Sequence, residues 1–142
     1  MATTITKYTS YEQYVHDGTI NLNSTGKIML TLIANTYTPS TAHTVWADVS
    51  SDEVANGDGY TTGGEALGSL SVNSTRFDAA DVTWSSLTKT FRYGVLYIND
   101  TVNAIVKPLI AYILFDDTPA DISIGGGDYT VQWNTSGIIT FS

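Results

Sequence analysis

The chain has 142 residues, enough for one domain with a single sizeable core. Six Lys and Arg face fourteen Asp and Glu, a formal charge of −8, and the six bases (Lys7, Lys27, Arg76, Lys89, Arg92, Lys107) are scattered singly. No patch can neutralise phosphates, so nucleic acid and anionic membrane are excluded as expected partners. The absence of cysteine removes disulfides, thiolate catalysis and cysteine metal sites.

The charged fraction is 14%, against a usual value of about 25%. Ser and Thr fill the difference. Thr favours strands and Ser favours turns, so the composition leans towards β structure. "MATTITKYTSYEQ" has no apolar h-region, and no secretory signal is expected. Four N-x-S/T sequons, at Asn23, Asn73, Asn99 and Asn134, arise readily by chance in such a chain.

Residues 1–18 form an expected N-terminal arm with a short helix. In "SYEQYVHDG", Ser10 as N-cap, Gln13 at the capping-box position and Gly18 as stop predict a helix over 11–17. Tyr11 and Tyr14 lie three apart on one face, suited to a core or a partner. Residues 19–142 carry period-two patterning with no composition break and no repeat, as one domain should.

"GKIMLTLIA" (26–34) predicts a buried strand, too short for a membrane span. The region 36–65 has little strand pattern. A loop of about thirty residues is well beyond the usual 12–15 and is normally functional. Partner contacts are therefore expected there, at His43, Trp46 and Tyr60, aromatic anchors being favoured at interfaces.

Further strands are expected at "ALGSLSV" (66–72, Leu70 and Val72 on one face), "TRFDA" (75–79) and "DVTW" (81–84). "TKTFRYGVLYI" (88–98) follows, with Phe91, Tyr93, Val95 and Tyr97 on one face. "NDTVN" is a turn, and "PLIAYILF" (108–115) a central strand. "ADISI" (120–124), a triple-glycine turn (125–127), "DYTVQW" (128–133) and "IITF" (138–141) complete the pattern. Turn signals roughly every 8–12 residues predict an all-β fold, a single antiparallel β-sandwich of jelly-roll or immunoglobulin-like type.

"EVANGDGYTTGGEAL" (53–67) carries the strongest hint of chemistry. Gly57, Gly59 and Gly63 suggest a phosphate loop. However, Gly57-x-Gly59-x-x-x-Gly63 has one residue too many, no strand precedes it, no helix follows, and Asp58 repels phosphate. Its oxygens, with Asp116, Asp117, Asp121 and Asp128, allow a cation site built from loops, with Asp58, Asp116 and Asp117 the metal candidates. The EF-hand spacing is absent, and Asp, Asn and Gly are ordinary turn formers. The expected role is tight turns with positive φ.

Catalytic candidates are few. His16 and His43 are the two histidines, no G-x-S-x-G occurs, and His43 pairs conceivably with Asp48. Glycosidase-like carboxylates beside Trp would be Asp81 with Trp84 or Asp128 with Trp133. No arrangement meets the first geometric checks of an active site, so neither enzyme activity nor a cofactor is expected.

Five stretches, "INLNSTGKIMLTLIANTYTP", "HTVWADVSSDEVANGDGYTTGGEAL", "FDAADVTWSSLTKTFRYGVLYIND", "LIAYILFD" and "YTVQWNTSGIITFS", together resemble a family of small virion proteins of tailed bacteriophages. The resemblance covers roughly residues 19–142, and "GDG" stands where other members have a less acidic turn. It implies a non-enzymatic structural protein located on the virion. The preferred role is capsid decoration or cement. Such a protein sits on the outer shell as a homo-oligomer, a trimer, and bridges major capsid subunits. A tail- or fibre-associated component with a receptor- or carbohydrate-binding role is the alternative.

Overall fold

In the computed structural model, which describes residues 4–23, 26–116, 120–134 and 137–140, the apolar runs form the centre of a five-stranded antiparallel sheet. Its members are β1 (Thr4–Lys7), β2 (Ile28–Ile33), β3 (Glu65–Ala66), β7 (Tyr93–Ile98) and β10 (Leu109–Leu114), in the order β1-β10-β7-β2-β3. Successive side chains point to opposite faces of a strand. Leu30, Leu32, Leu96, Ala111 and Ile113 therefore enter one core, while Ile33, Val95, Tyr97 and Leu109 enter another. Burial of both faces explains why these runs are nearly continuous in apolar residues.

The far wall of the first core is a second layer. One part joins β4 (Ser71–Val72), β5 (Arg76–Asp78) and β12 (Ile139–Thr140). The other is a ribbon of β6 (Val82–Phe91) and β11 (Ile122–Val131), ten residues each. Phe77, Val82, Trp84, Leu87, Phe91, Val131 and Ile139 pack from this layer onto the first. The all-β, antiparallel, sandwich-like expectation holds. A small hairpin, β8 (Thr101–Val102) with β9 (Ile105–Val106), projects beside it.

Several boundaries differ from the sequence reading, each for a tertiary reason. The expected strand 88–98 is two strands in different layers. At Arg92 the chain passes between them: its N–H donates to the Ile33 carbonyl and its carbonyl accepts from Phe115 N–H. Phe91 thus faces the first core, while Tyr93, Val95 and Tyr97 face the second. The triple glycine is not a turn. It lies inside β11, where the pairing with β6 shifts register on either side of Gly127, as β-bulges do. "ALGSLSV" is split into two dipeptide strands, with Leu67 buried and Val72 exposed.

The described part of the N-terminal segment is built into the first sheet. β1 pairs with β10 from Thr4↔Leu114 to Lys7↔Ala111, and α1 (Thr9–His16) follows directly. Ser10 is not its cap. Tyr8 occupies that position without a side-chain cap. Instead, Tyr8 N–H donates to Ile110 O and Thr9 N–H to Thr41 O. Tertiary bonds satisfy these two donors, so the helix starts two residues early. Gly18, at φ 83°, ends it as expected.

Residues 36–52, the first part of the long excursion, cover the second core. Tyr37, Trp46 and Val49 are buried against Tyr8, Ile33, Val95 and Tyr97. Two 3-10 turns, Trp46–Asp48 and Ser50–Asp52, give this cover its shape.

Candidate functional site

The glycine-rich stretch is a structural loop. Gly57 N–H donates to Tyr60 O at 2.7 Å and Tyr60 N–H returns to Gly57 O at 3.1 Å. Asp58 and Gly59 between them have φ 53° and 88°, the signature of a type I′ turn, which favours Asp-Gly. A Cβ at Gly59 would lie 2.6 Å from Ser86 O, and one at Gly64 would strike the Leu30 carbonyl. Both glycines are demanded by close backbone approach.

Tyr60 is not an exposed anchor. It is 2% exposed and stacked near Trp84. Its hydroxyl donates to Glu53 Oε2 at 2.7 Å and accepts Leu32 N–H at 3.2 Å. Gly63 N–H donates to the same Glu53 oxygen at 2.7 Å. Burial, with Glu53 alongside, pushes the phenol far above its ordinary pKa, so it stays protonated as the donor.

The cation candidates are not brought together into a recognisable cluster. Asp58 is exposed, with Lys89 Nζ 3.8 Å from its carboxylate. Asp116 ends the described part of its loop, and Asp117 lies outside the described residues. Among the described residues no group of three His, Asp or Glu has the arrangement of a metal site. Nor is any described helix long and apolar enough to cross a membrane.

The catalytic pairs are engaged elsewhere. Asp81 Oδ1 accepts Trp133 N–H at 3.0 Å, and Asp128 Oδ1 accepts Ser86 N–H at 3.1 Å. His43 is hydrogen-bonded to Tyr37, not to Asp48. The Tyr8 and Tyr37 hydroxyls are 2.9 Å apart, and Tyr37 Oη is 3.0 Å from His43 Nδ1. Tyr93 and Tyr112 pack edge-on to Tyr37. Burial foremost, and the hydrogen bond with Tyr37, raise the Tyr8 pKa well above normal. This buried chain stiffens the second core.

Two of the expected contact residues do share a surface. Tyr14, Val45, Trp46, Ala47, Ser50 and the hairpin residues Ala104–Lys107 line a shallow cleft of about 540 Å³. Its floor is firmly held. Trp46 is 8% exposed and lies flat on Tyr97, ring centres 4.5 Å apart and planes 13° from parallel. Trp46 N–H donates to Lys107 O, and Leu109 N–H to Thr44 O, clamping this segment beside Pro108. Asp48 Oδ2 accepts Thr44 N–H at 2.9 Å and Val45 N–H at 3.3 Å. These N–H groups, Thr44's foremost, hold the Asp48 carboxyl below its ordinary pKa.

The hairpin supplies the exposed part of this shelf. Val106 is 57% exposed, the more open of the two exposed large apolar residues among the described residues. Asn103 Nδ2 donates to the buried Thr19 hydroxyl at 3.0 Å, tying hairpin to helix loop. Sequence reasoning missed Ile105 and Val106. Their signal was two β-branched residues after a turn, but Asn103-Ala104 lacks the glycine that marks such hairpins. Of the residues expected at a partner surface, only Tyr14 and His43 are partly exposed. Tyr11, Trp46 and Tyr60 are largely buried in the chain's own cores.

No protein-family profile, curated protein or solved structure matches this chain.

Proposed function

We propose that the chain is a non-enzymatic virion structural protein, a decoration protein that binds the outer capsid shell of a tailed bacteriophage and bridges its major capsid subunits. The observation that carries the reading is the Tyr14–Trp46–Val106 shelf. Three separate elements present it, and a ring stack plus backbone bonds fix its floor. A rigid apolar shelf costs little ordering entropy on association, and Val106 offers a partner its open apolar side chain.

Charge supports the same surface. Lys107 is the one charged residue in the shelf's lining, on a chain of formal charge −8. An acidic partner, a further copy of the chain included, would meet that one positive side chain here. The choice of a phage shell rests on the sequence resemblance. Homotrimer formation belongs to that same reading.

The test uses decoration-free heads of the phage that encodes the chain. Added protein should co-sediment with them and raise their rupture temperature. Val106→Asp, which places a charge on an open apolar position, should weaken that binding roughly 10–100-fold, about 1.4–2.7 kcal/mol. Its own melting should barely move, as is usual for exposed sites. Attachment to tails or host-surface sugars, with none to heads, would replace this reading with the adsorption role.

A further inference from the structure

Fourteen acids meet six bases in this chain, and most of the bases are claimed. The side chains of Lys7, Lys27, Lys89 and Arg92 lie between 2.9 and 3.8 Å from the carboxylates of Glu12, Asp100, Asp58 and Asp121. Lys107 differs from the other lysines. It is partly exposed and has no carboxylate at ion-pair distance among the described residues. No Asp or Glu lines the shelf around it. Asp48, the residue after the lining Ala47, turns one carboxylate oxygen to the Thr44 and Val45 N–H groups.

The backbone at Lys107 is also unlike that of an ordinary surface lysine. Its φ is 52°, and Asn103 and Ala104 in the same hairpin are left-handed too, at 52° and 63°. A left-handed residue suited to the turn alone would be Gly, Asn or Asp, because other side chains cost energy there. The conformation is held from both sides. Lys107 N–H donates to Asp100 O at 2.8 Å, and its carbonyl accepts Trp46 N–H at 2.8 Å. The root of the side chain is thus tied to the shelf's floor, next to the open Val106. Strained backbone fixed by its surroundings clusters at ligand clamps and binding sites.

We propose that the shelf recognises an acidic-apolar segment of the shell protein: an Asp or Glu whose carboxylate pairs with Lys107 Nζ, close in sequence to a large apolar side chain that covers Val106. An unclaimed ammonium beside an apolar surface, on a chain that is otherwise acidic, complements that pattern in charge and in polarity. The apolar contact excludes water from the pair and so strengthens it relative to an open surface pair. The assignment rests on the decoration reading and adds to it the chemistry of the partner.

The probe is decoration-free heads, titrated with the full chain at low and at moderate salt. Wild type should bind more weakly as salt rises. Lys107→Gln keeps a stem but loses the charge. At low salt it should bind roughly tenfold less tightly, the loss of one charge-assisted hydrogen bond, and it should respond less to salt. Its melting should match wild type, since Gln bears the same backbone cost at this position. Lys107→Arg should retain most of the binding. Lys7→Gln, the same change in net charge outside the shelf, should bind as wild type does. Equal binding and equal salt response of wild type and Lys107→Gln would overturn the carboxylate partner and leave the decoration reading standing. So would an equal loss in Lys7→Gln, the mark of net charge rather than of a pair. Wild type that binds no heads at either salt would overturn both.

Discussion

The hydroxyl of Tyr60 connects three segments that are apart in sequence: Leu32 in β2, Glu53 at the end of the cover, and, through Glu53, Gly63. Tyr60→Phe keeps the ring but takes the acceptor from the buried Leu32 N–H and leaves Glu53 Oε2 with Gly63 N–H as its remaining donor. It should cost about 1–3 kcal/mol in urea unfolding. The reverse gain is available at the β8–β9 turn. Ala104 sits at φ 63°, a left-handed conformation that costs a residue with Cβ about 1–2 kcal/mol. Glycine removes that cost but gives back part through the freer unfolded chain. Ala104→Gly should therefore raise stability by about 0.5–1 kcal/mol, read by the same unfolding curve. At this scale the turn at Asp58-Gly59 was legible, because Asp-Gly carries its own φ requirement. The burial of Tyr60 was not, since its hydroxyl partners lie 7 and 28 residues away.

Elements show where local pattern stops being informative. "SYEQYVHDG" announces a helix and its glycine stop, yet its start is decided by Thr41 and Ile110. β6 and β11 are each twice as long as their patterns suggest. The two pair with each other across the register shifts at Gly127, where the sequence reading expects a triple-glycine turn. The integration of β1 and α1 predicts that deleting residues 1–18 abolishes cooperative thermal unfolding. That deletion exposes the β10 edge and removes the buried Tyr8 and Tyr11. Large aromatic truncations in cores cost about 3–5 kcal/mol each, which together approach the whole stability of a domain of this size. A cooperative melt in the truncated chain would contradict this packing. The turn under the shelf has a pH signature. Because Asp48 has its folded pKa below its unfolded one, its contribution is present above about pH 4. It is lost as pH falls through the lower, folded value. Asp48→Asn keeps an acceptor but no longer titrates. The drop in melting temperature from pH 7 to pH 3 should be smaller in that variant than in wild type, modestly so for an exposed carboxylate.

For the whole molecule, composition foretold the antiparallel all-β, sandwich-like fold. It did not foretell that the long excursion closes a second core, because that requires knowing which sheet face lies open. The candidate surface was half legible: Tyr14 and Trp46 were named, while Ile105 and Val106 emerged only when the hairpin was placed beside them. The central claim is that this shelf docks the chain onto a capsid shell. It is tested most directly by sedimenting decoration-free heads with saturating wild-type protein and with Val106→Asp. The account predicts stoichiometric wild-type protein in the pellet, and the variant, still folded, left in the supernatant. Wild type remaining in the supernatant, or both proteins pelleting alike, would contradict it.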